Sequence, residues 1–101
     1  MTDRIRQSSG NVFADLGFPR QEAAHLLVRS DLMIQLRRTI ERRGMTQKAA
    51  AKALGVTQPC ISDLMRGRIE RFSIDTLVDM LAQLGLEVSF RVTRRAGRTA
   101  A

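Results

Sequence analysis

Between Arg20 and Arg43 the apolar residues recur on a helical period. Leu26, Met33, Leu36 and Ile40 fall along one stripe, with Leu27 and Ile34 beside it. The run contains no Gly or Pro; Pro19 suits its start and Gly44 its stop. Ser30-Asp31 leaves two versions open, one continuous helix or a break with a second, shorter helix capped there. Three short helices are expected next: Gln47–Leu54 capped by Thr46 and ended by Gly55, Gln58–Arg66 capped by Thr57 and ended by Gly67, and Ile74–Leu84 capped by Ser73 and ended by Gly85. Pro59 sits in a first turn, where its missing N–H costs nothing. Phe72 and Leu77 have the spacing of a hydrophobic staple.

The period then changes. Leu86, Val88, Phe90 and Val92 alternate with Glu87, Ser89 and Arg91, which predicts a β-strand. A lone strand needs a partner for its N–H and C=O groups. Pairing with the same strand of a second copy makes a two-fold dimer through Val88, Phe90 and Val92. Pairing with the Val12-Phe13 region of the same chain is the rival. The expected organisation is an N-terminal arm at 1–19, partly disordered, a helical domain at 20–85, a strand at 86–93 and a basic flexible tail at 94–101. Within the arm, Val12, Phe13, Leu16 and Phe18 are too densely apolar for a free tail and should lie against the domain or a partner.

Composition narrows the function classes. The 101 residues allow one small domain and little room for an enclosed catalytic cleft. Seventeen Lys and Arg against ten Asp and Glu leave a formal charge of +7, which favours a polyanionic partner. The segments 20–45 and 46–72 each carry +3 of it. Four Phe with no Tyr or Trp weigh against recognising single strands or RNA by base stacking. One Cys and one His supply too few ligands for a zinc site, so no metal or other cofactor is expected. No paired carboxylates, Ser/His/Asp set or phosphate-cradling glycine loop suggests an enzyme. Without an apolar run of about 20 residues or a signal-peptide core, the chain is expected to be cytoplasmic, with no membrane partner.

The chemistry concentrates in residues 46–67, TQKAAAKALGVTQPCISDLMRG. Two helices flank the turn Gly55-Val56-Thr57. Ala51 is small where the helices cross, and Ala50, Leu54, Val56, Ile61 and Leu64 supply their apolar contacts. This spacing describes a helix-turn-helix. Gln58, Ser62 and Arg66 recur every four residues on one face of the second helix. Gln58 can bond adenine N6 and N7 together, Ser62 can donate or accept, and Arg66 can reach a guanine or a phosphate. Lys48, Lys52, Arg68 and Arg71 are long-range phosphate partners, with a solvated helix face as the alternative for Lys48 and Lys52. Asp63 either pairs with Arg66 or accepts from a cytosine amine. Cys60 lies in a first turn beside cations, both of which lower a thiol pKa, although an inert cysteine is the plainer reading. His25 reads as a surface or half-buried helix residue, and Met33, Met45, Met65 and Met80 as core fillers.

Gln47, Ala51, Gly55, Ile61 and Leu64, with Thr57-Gln58 opening the second helix and Arg66-Gly67-Arg68 closing it, resemble the Xre/Cro-repressor type of helix-turn-helix. The resemblance implies a mainly α, lambda-repressor-like helical domain, to which the C-terminal β-strand is added for dimerisation. It implies double-stranded DNA as partner, with the second helix in the major groove of a palindromic operator, and a phosphate clamp at Gln47. Gln47, Lys48, Thr57, Gln58, Ser62, Arg66 and Arg68 form the expected DNA-binding set. Cys60 departs from the polar or basic residue common at its position, which puts the base preference in doubt.

The wider frame, VFADLGF, RSDLMIQLRRTIERRGMTQ and SIDTLVDMLAQLG, is similar to the HigA-type antitoxin branch. That similarity implies a repressor that autoregulates a toxin–antitoxin operon and masks a small RNA-cleaving toxin. Val12, Phe13, Leu16 and Phe18 are then candidates for the toxin-binding surface. A stand-alone or phage-type regulator, and an interaction module devoted to masking a toxin, are the alternatives.

Overall fold

The computed structural model describes residues 11–94. The disorder expected at 1–10, and the basic tail with Arg95 and Arg98, lie outside the described residues. Asn11 caps a one-turn helix, α1 (Val12–Asp15), its side-chain oxygen accepting from the N–H of Phe13 at 3.0 Å and of Ala14 at 3.2 Å. Its amide nitrogen donates to the carbonyl of Ala23 at 3.2 Å, tying α1 to the next helix. The Phe13 and Phe18 rings meet edge to face at 6.1 Å. Val12, Leu16 and Phe18 nevertheless stay 56%, 70% and 41% exposed.

Helix α2 (Arg20–Arg42) is continuous through Ser30-Asp31. Leu26, Leu32, Met33, Leu36 and Ile40 are all buried along it. A helix carrying one buried stripe past a cap-like dipeptide gains more from packing than from stopping. Helices α3 (Gln47–Leu54), α4 (Gln58–Met65) and α5 (Ile74–Gln83) follow, capped by the hydroxyls of Thr46, Thr57 and Ser73. A single 3-10 turn, Ile69–Arg71, joins α4 to α5 where the sequence pattern predicts no element. The helices close around one cluster containing Leu36, Ile61, Leu64 and Leu77, all fully buried. Phe72 and Leu77 are both buried, as the staple requires. Met33 and Met80 are buried in the core, while Met45 and Met65 pack at its edge.

Each α-helix ends in the same way. At α3 the N–H of Val56 donates to the carbonyl of Ala51 at 3.0 Å and that of Gly55 to Lys52 at 3.3 Å. Gly55 takes φ +69°, the left-handed conformation this closure needs. The same pair of bonds recurs at Met45 and Gly44 after α2, Arg68 and Gly67 after α4, and Leu86 and Gly85 after α5.

The C-terminal strand is corrected: no β-strand occurs among the described residues, and the fold is mainly α. The Leu86 N–H is already spent on the Leu81 carbonyl at 2.9 Å. Leu86 and Val88 pack against the helical core, whereas Phe90 and Val92 are 68% and 96% exposed. The alternation therefore describes a segment laid along helices, half of whose apolar residues find the core. The intrachain rival fails too, because Val12 and Phe13 lie in α1, which sits against α2 and is not a strand. With no strand among the described residues, Val88, Phe90 and Val92 form no ladder through which two copies could pair.

A Cβ at Gly55 would meet nothing within 4 Å, so a substitution there costs conformational strain alone. Gly55→Ala should destabilise the fold by about 1–2 kcal/mol. Gly55→Asn should cost less, since Asn tolerates the left-handed region. Urea unfolding of the three proteins measures both; equal losses would show that crowding, not φ, sets the cost.

Candidate nucleic-acid interface

The α3–turn–α4 unit is built from small and apolar residues facing inward. Ala50, Ala51 and Leu54 on α3 and Ile61 and Leu64 on α4 are buried, and Val56 in the turn is partly so. With Ile61 and Leu64 committed to the core, Gln58, Pro59, Ser62, Asp63 and Arg66 lie on the other side of α4. Gln58 and Pro59 are exposed in the first turn, and Ser62 and Asp63 are half-buried. Arg66 is exposed one residue past the helix, as its C-cap.

Gln47 and Lys48 are exposed at the start of α3, where first-turn amides have no acceptor within the helix. The Thr46 hydroxyl oxygen accepts from Ala49 at 3.0 Å. The Thr57 hydroxyl oxygen accepts from Cys60 at 3.3 Å, which leaves its O–H free to donate outward. Lys52 is exposed on the side of α3 away from the core. The two helix starts and the outer side of α4 thus present amides, hydroxyls and cations together.

Several charges behave differently from what spacing suggests. Asp63 does not pair with Arg66. Its carboxylate lies 3.6 Å from Arg68 Nε and 3.6 Å from Arg71 Nη1. Two arginines of α2, Arg29 and Arg37, and its C-cap Arg43 are turned toward connecting segments. Arg29 donates to the Ile69 carbonyl at 3.5 Å and Arg43 to the Leu84 carbonyl at 3.0 Å. The Arg37 guanidinium lies under the connector after α4, where a Cβ at Gly67 would meet its Nη1 at 3.6 Å. Arg37 Nε is buried without a hydrogen-bond partner. No sequence signal pairs these arginines with backbone some forty residues away; packing alone brings them together. His25 is exposed near the start of α5, and among the described residues no His, Cys, Asp or Glu cluster is placed to hold a metal. No helix among the described residues is long and apolar enough to cross a membrane.

Cys60 is half-buried, and its thiol pKa is raised, first by burial and then by the neighbouring Asp63 carboxylate. The activating effect expected from its first-turn position is overridden, because desolvation penalises the thiolate. A raised pKa means less thiolate at a given pH. Iodoacetamide should therefore modify Cys60 at pH 8 more slowly than a free thiol, and Asp63→Asn should quicken it. Alkylation faster than that of glutathione would contradict this.

The helix-turn-helix domain family matches residues 12–93. A solved structure described as an XRE family transcriptional regulator is similar at 31% identity, with a TM-score of 0.70, over 79% of this chain and 91% of its own. No curated protein matches the chain.

Proposed function

This chain belongs to the helix-turn-helix domain family and is an XRE-type transcriptional regulator, and from that premise we propose that it is a sequence-specific repressor that lays α4 in the major groove of a palindromic operator. The observation that carries the proposal is the polar side of α4, with Gln58, Ser62 and Arg66 opposite the fully buried Ile61 and Leu64. In this arrangement Gln58 reads a base edge, with adenine as its geometric match, and Ser62 and Arg66 contact neighbouring bases or phosphate. Gln47, Lys48 and the Thr57 hydroxyl hold the backbone from the two helix starts, and Arg68 adds a phosphate contact. Two copies place their α4 helices about 34 Å apart on one face of the duplex. The repressor acts by occluding the promoter, without an enzymatic step.

DNA selection from a random pool, followed by affinity measurement across salt concentrations, tests this. Gln58→Ala should relax preference at one base pair per half-site, losing about 1–3 kcal/mol of discrimination there. Affinity for any duplex should fall steeply with salt. A Gln58→Ala protein that selects the same sequences as the parent would refute the docking of α4.

The antitoxin role extends the same proposal. Its support is the apolar surface at Val12, Leu16 and Phe18, exposed beside the partly buried Phe13, in and just after α1 and separate in sequence from the α3–α4 unit. A small RNA-cleaving toxin bound there would leave α4 free, so one chain could mask the toxin and repress the shared promoter. Removal of residues 1–19 should abolish toxin neutralisation and spare DNA binding. Undiminished affinity for the adjacently encoded protein after that truncation would exclude this surface.

A further inference from the structure

We infer that Asp63 sets the ratio of specific to non-specific DNA binding by occupying, inside the free protein, the two arginines that would otherwise grip any phosphate. The inference rests on the DNA-binding proposal above and concerns how that surface is kept selective.

Asp63 lies on α4 directly after Ser62, and its side chain is 26% exposed. Its two carboxylate oxygens take different partners: Oδ1 faces Arg68 Nε at 3.6 Å and Oδ2 faces Arg71 Nη1 at 3.6 Å. Arg68 and Arg71 remain 41% and 56% exposed at their side chains. Both arginines can therefore reach a duplex, yet both start from a carboxylate. At 3.6 Å these contacts are longer than charge-assisted hydrogen bonds, so a phosphate oxygen with good geometry can displace the carboxylate.

The carboxylate is not needed to shape the connector. The Arg68 N–H donates to the Asp63 backbone carbonyl at 3.0 Å, and the Arg71 N–H to the Arg68 carbonyl at 3.0 Å. Both bonds are made by backbone atoms, and the Asp63 side chain takes part in neither. What the side chain adds is a negative charge at the end of α4 nearest Arg66, Arg68 and Arg71.

Non-specific affinity comes from phosphates neutralised and counterions released. An internal anion competing for two guanidinia weakens binding to every duplex. Once Arg68 and Arg71 turn to phosphate, Asp63 is left facing the groove. Cytosine N4 offers it a donor there, whereas guanine N7 and O6 and thymine O4 are acceptors that repel it. The cost of uncovering Asp63 is thus recovered only on sequences that present a donor at that place. In the free protein Asp63 acts through Arg68 and Arg71; on DNA it meets the base edge itself.

The test compares the full-length parent with Asp63→Asn, Asp63→Glu and the double variant Arg68→Gln/Arg71→Gln. Each is titrated with a random-sequence duplex and with a duplex selected by the parent, across a salt series. Asp63→Asn should bind the random duplex about threefold to tenfold more tightly, with a log K against log salt slope steeper by about one to two per protomer. Its preference for the selected duplex should narrow by at least the same factor. Asp63→Glu should behave like the parent. With Asp63 intact, the double variant leaves its carboxylate unpaired, so it should bind random DNA more weakly than the parent and with a shallower salt slope. A purely structural role for Asp63 would weaken both duplexes together and leave the slope unchanged. That result, or an unchanged preference in Asp63→Asn, overturns the inference while leaving the repressor proposal standing. Parent protein that binds neither duplex in a salt-dependent way overturns the repressor proposal itself.

Discussion

Four side chains hold the arrangement on which everything else depends. Leu36 of α2, Ile61 and Leu64 of α4 and Leu77 of α5 are fully buried in one cluster. Because Ile61 and Leu64 are three residues apart, burying both fixes the rotation of α4 about its axis. Once that rotation is set, Gln58, Ser62 and Arg66 have only one direction to point. The polar surface is therefore a consequence of core packing, and a cavity at Leu36 or Leu77 would loosen α4 as surely as a change within it.

The turn between α3 and α4 needs the same rigidity at smaller scale. Ala50 and Ala51 allow close approach, and Gly55 takes the left-handed conformation that reverses the chain within three residues. The hydroxyl caps at Thr46 and Thr57 then start both helices at defined residues, so the side chains in their first turns are placed by backbone geometry.

Charge is distributed less simply than its total suggests. Arg29 of α2 and Arg43 at its C-cap hold backbone carbonyls, and Arg37 lies under the α4–α5 connector. Those cations are spent on backbone and connecting segments of the protein itself. Near α4, Asp63 partly offsets Arg68 and Arg71. The chain's +7 is thus a poor guide to local potential. The exposed cations Lys48, Lys52 and Arg66 have no such partner among the ion pairs described, and they describe the surface better.

Much of the fold was legible locally. Caps and stops at Thr46, Gly55, Thr57, Gly67, Ser73 and Gly85 bound α3, α4 and α5 to within a residue, because capping is a contest between neighbouring groups. The small and apolar positions of 46–67 likewise announced a helix-turn-helix, since each interior contact there spans few residues. What sequence could not decide were matters that depend on how segments fold onto one another. The alternation from Leu86 to Val92 satisfied a strand, but the Leu81 carbonyl and the helical core claimed its first residues, and no ladder formed. Asp63 looked equally able to serve Arg66, yet the 3-10 turn brought Arg68 and Arg71 to it instead. By itself the sequence determined where helices begin and end and which of their sides are apolar. Only the tertiary structure decided which polar groups meet, because those pairings depend on packing between distant segments and on how the connector after α4 folds back.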